Sequence, residues 1–203
     1  MKKIILSLVV LIGLGATQAF AQKTSFGVKA EANLSNSVLS DMANTKSTLG
    51  VGGNIGGFAK VELGQWFALQ PELMLTLQNS KLDVSGVKNN IRSWGVEVPV
   101  YALFQLPATN TGRAYVGVGP YASYGLSAKN RTADLSLYSK NGADKSFLNR
   151  FDAGLAATIG YEFTNRIQIN ASYKRGILDE LNTNSKESSL RSQRISLGVG
   201  YRF

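Results

Sequence analysis

The sequence of 203 residues contains no cysteine and no histidine. Without cysteine the chain has no disulfide framework, no thiolate nucleophile and no cysteine-ligated zinc. Without histidine it has no Ser-His-Asp triad, no imidazole base and no histidine-bound metal ion. Carboxylates remain, but no nucleophile and base accompany them. We therefore expect a protein that is not an enzyme and that binds neither a metal ion nor another cofactor.

Long hydrophobic runs are also scarce, and the one that stands out lies at the N-terminus. Lys2 and Lys3 precede an apolar run at 4–16, and Ala19-Phe20-Ala21 follows it. The alternative, a membrane anchor, needs about 20 apolar residues, and this run is shorter. A basic start, a short apolar core and a small-x-small site are typical of a secretory signal peptide. We predict a signal peptide at 1–21 and an exported domain at 22–203.

Beyond this segment, apolar or small residues recur at every second position. The first such segment places Phe26, Val28 and Leu34 on one face, with Lys29 and Glu31 on the other. Period two is the pattern of a β-strand whose faces meet different surroundings. Seven further segments repeat it, at 49–63, 67–77, 94–104, 114–126, 151–163, 167–173 and 195–203. The pattern predicts eight strands and no helix after the signal peptide.

The predicted connections between these strands alternate in length. Three are short, at 64–65, 107–112 and 164–165, whereas the long ones span 35–48, 79–90, 127–150 and 176–189. Short turns at one end and long polar loops at the other are typical of an antiparallel up-and-down transmembrane β-barrel. Pro71, Pro99 and Pro120 lie inside predicted strands, where each removes a donor from the ladder. We therefore expect bulges or local breaks at these prolines.

Alternation alone does not say which face meets lipid, because a soluble barrel of the lipocalin type turns its apolar face inward. The aromatic residues on the apolar face favour the membrane. They lie near the short-turn side (Phe26, Phe67, Phe104, Tyr161, Phe163, Tyr201 and Phe203) and near the long-loop side (Trp94, Tyr124, Phe151 and Tyr173). Two such belts match the girdles at the two membrane interfaces. We predict an all-β, eight-stranded barrel in the outer membrane, with both termini periplasmic. A soluble periplasmic ligand-binding barrel is the alternative.

Several short motifs follow one another in an order that resembles a known family. They are Val96-Glu97-Val98-Pro99-Val100, Tyr115-Val116-Gly117-Val118-Gly119-Pro120-Tyr121, Phe151-Asp152-Ala153-Gly154, Gly160-Tyr161-Glu162-Phe163 and Gly198-Val199-Gly200-Tyr201-Arg202-Phe203. With them the chain resembles the PorT-like outer membrane β-barrel domains of Bacteroidetes, over nearly all of 22–203. The resemblance implies an eight-stranded barrel without shared catalytic residues. It also implies that Phe203 is the aromatic end residue recognised by the outer-membrane assembly machinery.

Charged residues at the positions that alternate with the apolar face are expected to point into the barrel lumen. They are Lys29, Lys60, Lys174, Arg194 and Arg202, with Glu31, Glu62, Glu72, Glu97, Asp152 and Glu162. Eight strands leave an interior just wide enough for side chains. Because unpaired buried charges are costly, this near balance favours a paired polar plug over an ion path. Counting residues from the short-turn side places Glu31 and Arg194 at one depth, and we expect the plug to centre on them.

The long-loop side carries more basic than acidic residues. Among them, Arg131, Arg150 and Arg191 are candidates to bind lipopolysaccharide phosphates, because arginine suits these anions. We expect outer-membrane lipid and lipopolysaccharide as partners, and no nucleic acid. The leading hypothesis is a small, charge-plugged barrel with a structural or surface-interaction role. The alternative is a transport or secretion-accessory barrel that docks other envelope proteins.

Overall fold

The computed structural model describes residues 23–40, 45–48, 50–84, 87–107, 109–130, 135–136, 150–177 and 189–203. The predicted signal peptide and Arg131 lie outside these residues. Within the described ranges, no helix is long and apolar enough to span a membrane.

Ten strands account for most of the described chain. They are β1 (Thr24–Ser40), β2 (Thr45–Thr48), β3 (Gly50–Glu62), β4 (Phe67–Val84), β5 (Val87–Gln105), β6 (Gly112–Asn130), β7 (Leu135–Ser136), β8 (Phe151–Phe163), β9 (Ile167–Gly176) and β10 (Ser189–Arg202). The eight long strands correspond to the eight predicted segments, two of which extend by one residue past a strand end. The agreement arises because period-two alternation gives each strand one apolar and one polar face. The alternation does not predict β2 and β7, which are short.

Several strands continue beyond the apolar alternation. β4 ends at Val84 and β5 begins at Val87, so most of the connection predicted at 79–90 is strand. β1 likewise continues to Ser40, inside the connection predicted at 35–48. Those loop predictions are wrong. Alternating apolar residues mark only strands that have one apolar face, whereas strands with polar side chains on both faces form the same backbone hydrogen bonds.

The long strands form one closed sheet. Each pairs antiparallel with its neighbours along the chain, and β1 closes the barrel by pairing with β10. The fold is therefore an eight-stranded antiparallel up-and-down barrel, as predicted. We call the end with the short connections 63–66, 106–111 and 164–166 the turn end, and the opposite end the far end.

The strands are strongly staggered around the barrel. Following paired residues from strand to strand around the barrel shows the stagger. The path starts at Thr24 in β1 and returns to β1 at Leu34, ten residues further along the strand. Between them it passes through Val61, Leu69, Ala102, Val118, Ala157, Tyr173 and Ile195. Strands in such a barrel tilt by about 35–45° from its axis. Consequently, ladder partners differ in height along the axis. The distance of a residue from its own turn does not fix its height.

The prolines interrupt the ladders without shifting their register. Pro71 lies at a gap in the β3–β4 ladder, Pro99 at a gap in β4–β5, and Pro120 at a gap in β5–β6. Pairing resumes in the same register beyond each gap. Of the two outcomes expected at the prolines, local breaks are observed, because a missing N–H removes a bond without adding a residue. A bulge lies elsewhere, between Trp94 and Gly95.

The barrel wall is apolar outside and polar inside. Leu197 and Val118 on the outer wall are 66% and 64% exposed, whereas Lys60 and Glu97 on the inner wall are 0% exposed. This arrangement is the reverse of a soluble barrel that holds an apolar ligand, which excludes that alternative.

Exposed aromatic residues lie on the outer wall near both ends of the strands. The turn-end belt contains Phe26, Phe67, Phe104, Phe163, Tyr201 and Phe203, and the far-end belt contains Trp94, Tyr124 and Phe151. In the turn-end belt, Phe104 stacks on Trp66 with ring centroids 5.7 Å apart and meets Phe67 edge-on at 5.5 Å. Such belts place amphipathic rings at the two lipid headgroup regions.

Gly119 lies where two strands of the wall approach closely. A Cβ atom at Gly119 would lie 1.8 Å from the carbonyl oxygen of Val100, whereas the nearest atom to a Cβ at Gly53 would be 3.4 Å away. We predict that Gly119→Ala lowers the free energy of unfolding by about 1–3 kcal/mol, because the backbone must shift. Gly53→Ala, the matched control, should change it by less than about 0.5 kcal/mol. Urea unfolding in lipid vesicles measures both, and equal midpoints would contradict the prediction.

Candidate functional site in the barrel lumen

Among the residues that the structure describes, charged side chains of the inner wall form three ion-pair clusters. The turn-end cluster consists of Lys60, Glu62, Arg113, Glu162 and Arg202, the middle cluster of Lys29, Glu31 and Glu72, and the far-end cluster of Glu97, Lys174 and Arg194. The strands place them inward because their neighbours in sequence are apolar and face lipid. Ten of the predicted lumen residues belong to these clusters, and the eleventh, Asp152, lies apart from them.

Glu162 is the hub of the turn-end cluster. Its carboxylate lies 3.0 Å from Lys60 Nζ, 3.1 Å from Arg113 Nη2 and 2.7 Å from Arg202 Nη2. Arg113 also contacts the Glu62 carboxylate through both guanidinium Nη atoms, at 2.6 and 3.2 Å. Three cations thus share two carboxylates, and each carboxylate accepts several charge-assisted hydrogen bonds.

Arg113 is the lumen residue that the sequence prediction missed. Counting from the turn places it at the periplasmic edge, because it immediately follows Gly112 at the start of β6. Arg113 lies two residues before Tyr115, so both side chains face the same side of the strand. Because Tyr115 is 3% exposed on the inner wall, this spacing assigns Arg113 to the lumen. With Arg113 included, the side chains that the structure describes in the lumen comprise six cationic residues and six carboxylates, rather than the five and six assigned from sequence.

The middle cluster is centred on Lys29. Its Nζ lies 2.6 Å from the Glu72 carboxylate and 3.3 Å from that of Glu31. Amide groups supply further donors, since Asn54 and Asn170 donate to Glu31 at 2.8 and 3.0 Å. All the members of this cluster are buried. The second carboxylate therefore relies on neutral amides in addition to the single ammonium group.

The far-end cluster is centred on Glu97. Arg194 Nη1 donates to one carboxylate oxygen at 2.6 Å, and Lys174 Nζ pairs with the other. The expected centre of the plug, a pair between Glu31 and Arg194, is wrong, because Arg194 binds Glu97 while Glu31 binds Lys29. The ten-residue stagger explains the error, since equal counts from the turns correspond to different heights.

Asp152 is buried at the start of β8 and accepts a hydrogen bond from the Tyr121 hydroxyl at 2.9 Å. Its Oδ1 atom has no hydrogen-bond partner in the part of the chain that is described. Within the same ranges, no group of three metal-ligating side chains could hold a metal ion. The arrangement of the described lumen side chains is suited to neutralising buried charge.

The predicted lipopolysaccharide rim is only partly within the described residues. Arg150 is exposed, and its carbonyl oxygen accepts a hydrogen bond from Gly125 N at 2.7 Å. Arg191 belongs to β10 by its backbone, and its side chain lies outside the description, as does the whole of Arg131. Phe203 is 61% exposed on the outer wall, and its N–H donates to Phe26 O at 2.8 Å.

Comparisons with known proteins match the barrel as a whole. A family model for the outer membrane protein beta-barrel domain matches residues 7–203. The crystal structure of OprG from Pseudomonas aeruginosa is similar with a TM-score of 0.55 at 14% identity, covering 90% of this chain and 97% of that chain. Neisserial surface protein A gives a TM-score of 0.55 at 16% identity, covering 90% and 100%. A search of curated proteins finds no match. These identities show the shared fold alone.

Double-mutant cycles test the assignment of ion pairs to clusters. We predict that Glu97→Gln lowers the free energy of unfolding by about 3–5 kcal/mol, because Lys174 and Arg194 stay buried without their carboxylate. Adding Arg194→Ala should cost less than the sum of the single changes, since both remove one ion pair. Urea unfolding in vesicles measures all variants.

A second cycle provides the control for that prediction. Glu31→Gln and Arg194→Ala should couple more weakly than Glu97→Gln and Arg194→Ala, because Glu31 and Arg194 form no ion pair with each other. Coupling between Glu31 and Arg194, without coupling between Glu97 and Arg194, would contradict the cluster assignment.

Proposed function

The chain belongs to the outer membrane protein beta-barrel domain family, and from that membership we propose that it is a charge-plugged barrel with a structural or surface-interaction role. Outer-membrane localisation accords with the apolar outer wall and its two aromatic belts. The proposed role assigns no conducted ion and no catalysed reaction to the lumen. Interactions with other envelope components would instead involve the ends of the barrel.

The observation that carries this proposal is the succession of buried ion pairs along the lumen. Lys60, Glu97 and Lys174 are each at most 2% exposed, so their charges are shielded from water by the surrounding side chains. Moving one partner aside would leave the other charge buried and uncompensated, which typically costs about 3–5 kcal/mol. Clusters at three heights repeat this barrier, and an ion would have to break each one in turn.

Conductance in a planar lipid bilayer tests the proposed plug. We predict that the purified protein shows little conductance, because no cluster can open without leaving a buried charge without its partner. Heat-modifiable gel migration of the same preparation serves as the control that the barrel is folded. Large, stable single-channel currents would reject the plug and favour the transport alternative.

We further propose that the turn end and both termini are periplasmic. Short turns on the periplasmic side and longer connections on the cell surface are the usual arrangement in bacterial outer-membrane barrels. The resemblance to PorT-like domains and the role of Phe203 in recognition by the assembly machinery remain part of this proposal. Lipopolysaccharide, at the far end, is the proposed surface partner.

Protease treatment of intact cells tests this orientation. We predict cleavage within 127–150 and no cleavage near Thr164-Asn165, because the outer membrane shields only the periplasmic side. Permeabilised cells provide the control, in which both regions meet the protease. Cleavage of intact cells only at the short turns would reverse the orientation.

A further inference from the structure

Arg92 and Trp94 form a cation–π pair on the outer wall at the far end. Arg92 and Trp94 lie two positions apart on β5, and Arg92 Cζ is 5.5 Å from the Trp94 ring centroid. Trp94 is 38% exposed and belongs to the far-end belt, with the same parity as exposed Val98. The Arg92 backbone lies about 7 Å further along the strand from the turn end, given the rise per residue. Because its guanidinium lies against the Trp94 ring, the cation is at the level of the far-end belt, where lipid headgroups lie.

No carboxylate pairs with Arg92 in the part of the chain that the structure describes, and its Nε atom has no hydrogen-bond partner there. The ladder positions on either side of Arg92 carry an amide and a second cationic residue, Asn79 in β4 and Lys129 in β6. Neither of these two ladder neighbours is acidic, so neither position supplies a carboxylate to Arg92.

The backbone around this position is irregular. The β5–β6 ladder shifts register between Trp94, which pairs with Ser127, and Gly95, which pairs with Gly125. A bulge of this kind inserts one residue into a strand and redirects neighbouring side chains. The ladder is therefore irregular next to the pair formed by Arg92 and Trp94.

We propose that Arg92 and Trp94 form a binding site for a phosphate group of lipid A, the glycolipid anchor of lipopolysaccharide. The guanidinium supplies several N–H donors to one phosphate, and the indole ring holds the guanidinium at the interface. This inference rests on the proposed orientation, because lipid A occupies the cell-surface leaflet. It places the phosphate contact on the strand wall, in addition to the predicted rim.

Tryptophan fluorescence tests the site directly, because the chain has only two tryptophans. Trp66→Phe leaves Trp94 as the sole tryptophan, which is excited selectively over the tyrosines. The variant is refolded into phosphatidylcholine vesicles that contain increasing fractions of lipid A. We expect a saturable change in Trp94 emission, and a midpoint about tenfold weaker when Arg92→Gln is added, from the loss of charge-assisted hydrogen bonds. Arg166→Gln, at an exposed turn-end position, is the matched control and should leave the midpoint unchanged.

Three results would overturn the inference. They are an unchanged midpoint with Arg92→Gln, an equal response to dephosphorylated lipid A, and an equal response to phosphatidylglycerol, which would assign the site to anionic lipid in general. The test with dephosphorylated lipid A needs no change at Arg92, so it decides the matter even if that variant fails to refold. Vesicles carry lipid A in both leaflets, so a reversed orientation, detected by protease in cells, would not alter this titration.

Discussion

Hydrocarbon offers no hydrogen-bond partner to a peptide group, so a sheet that crosses a bilayer must pair every strand edge with another strand. In this chain the pairing of β1 with β10 meets that requirement. Closure with eight strands fixes a narrow interior, and the ten-residue stagger fixes which inward positions share a height. The polar lumen, the apolar wall and the choice of ion-pair partners all depend on this one geometric condition.

A narrow lumen turns inward-facing polar residues into a packed core. Residues that would be solvated on the surface of a soluble protein are buried here, among them Lys60, Glu97 and Lys174. Tyr101 and Tyr115 fill space beside the ammonium groups, with Lys29 Nζ 5.9 Å and Lys60 Nζ 5.6 Å from their ring centroids. Burial of this kind is stable only where each charge has partners, which explains why carboxylates, cations and amides are interleaved along the inner wall.

Sequence alone could predict the strands, their faces and most of the lumen residues, because period-two alternation follows directly from the strand pleat. It could not predict which charges meet. The pair expected between Glu31 and Arg194 fails because stagger is a property of the closed sheet and leaves no local trace in sequence. Arg113 was missed because its place beside a turn assigned it to the periplasmic edge, although its alternation with Ala114 and Tyr115 assigns it to the lumen. The extension of β4 to Val84 was missed because ladder pairing outside the membrane needs no apolar residues.

The clusters also differ in the sign of the charge that is left over. The turn-end cluster has one more cation than carboxylates, the middle cluster has one more carboxylate than cations, and the far-end cluster again has one more cation. Neighbouring clusters therefore attract each other, which stabilises the column of side chains as a unit. Asp152 supplies the remaining negative charge near the far end, where Tyr121 donates to it. An ion of either sign would meet repulsion at one height or another, so the alternation opposes permeation even where side-chain packing loosens.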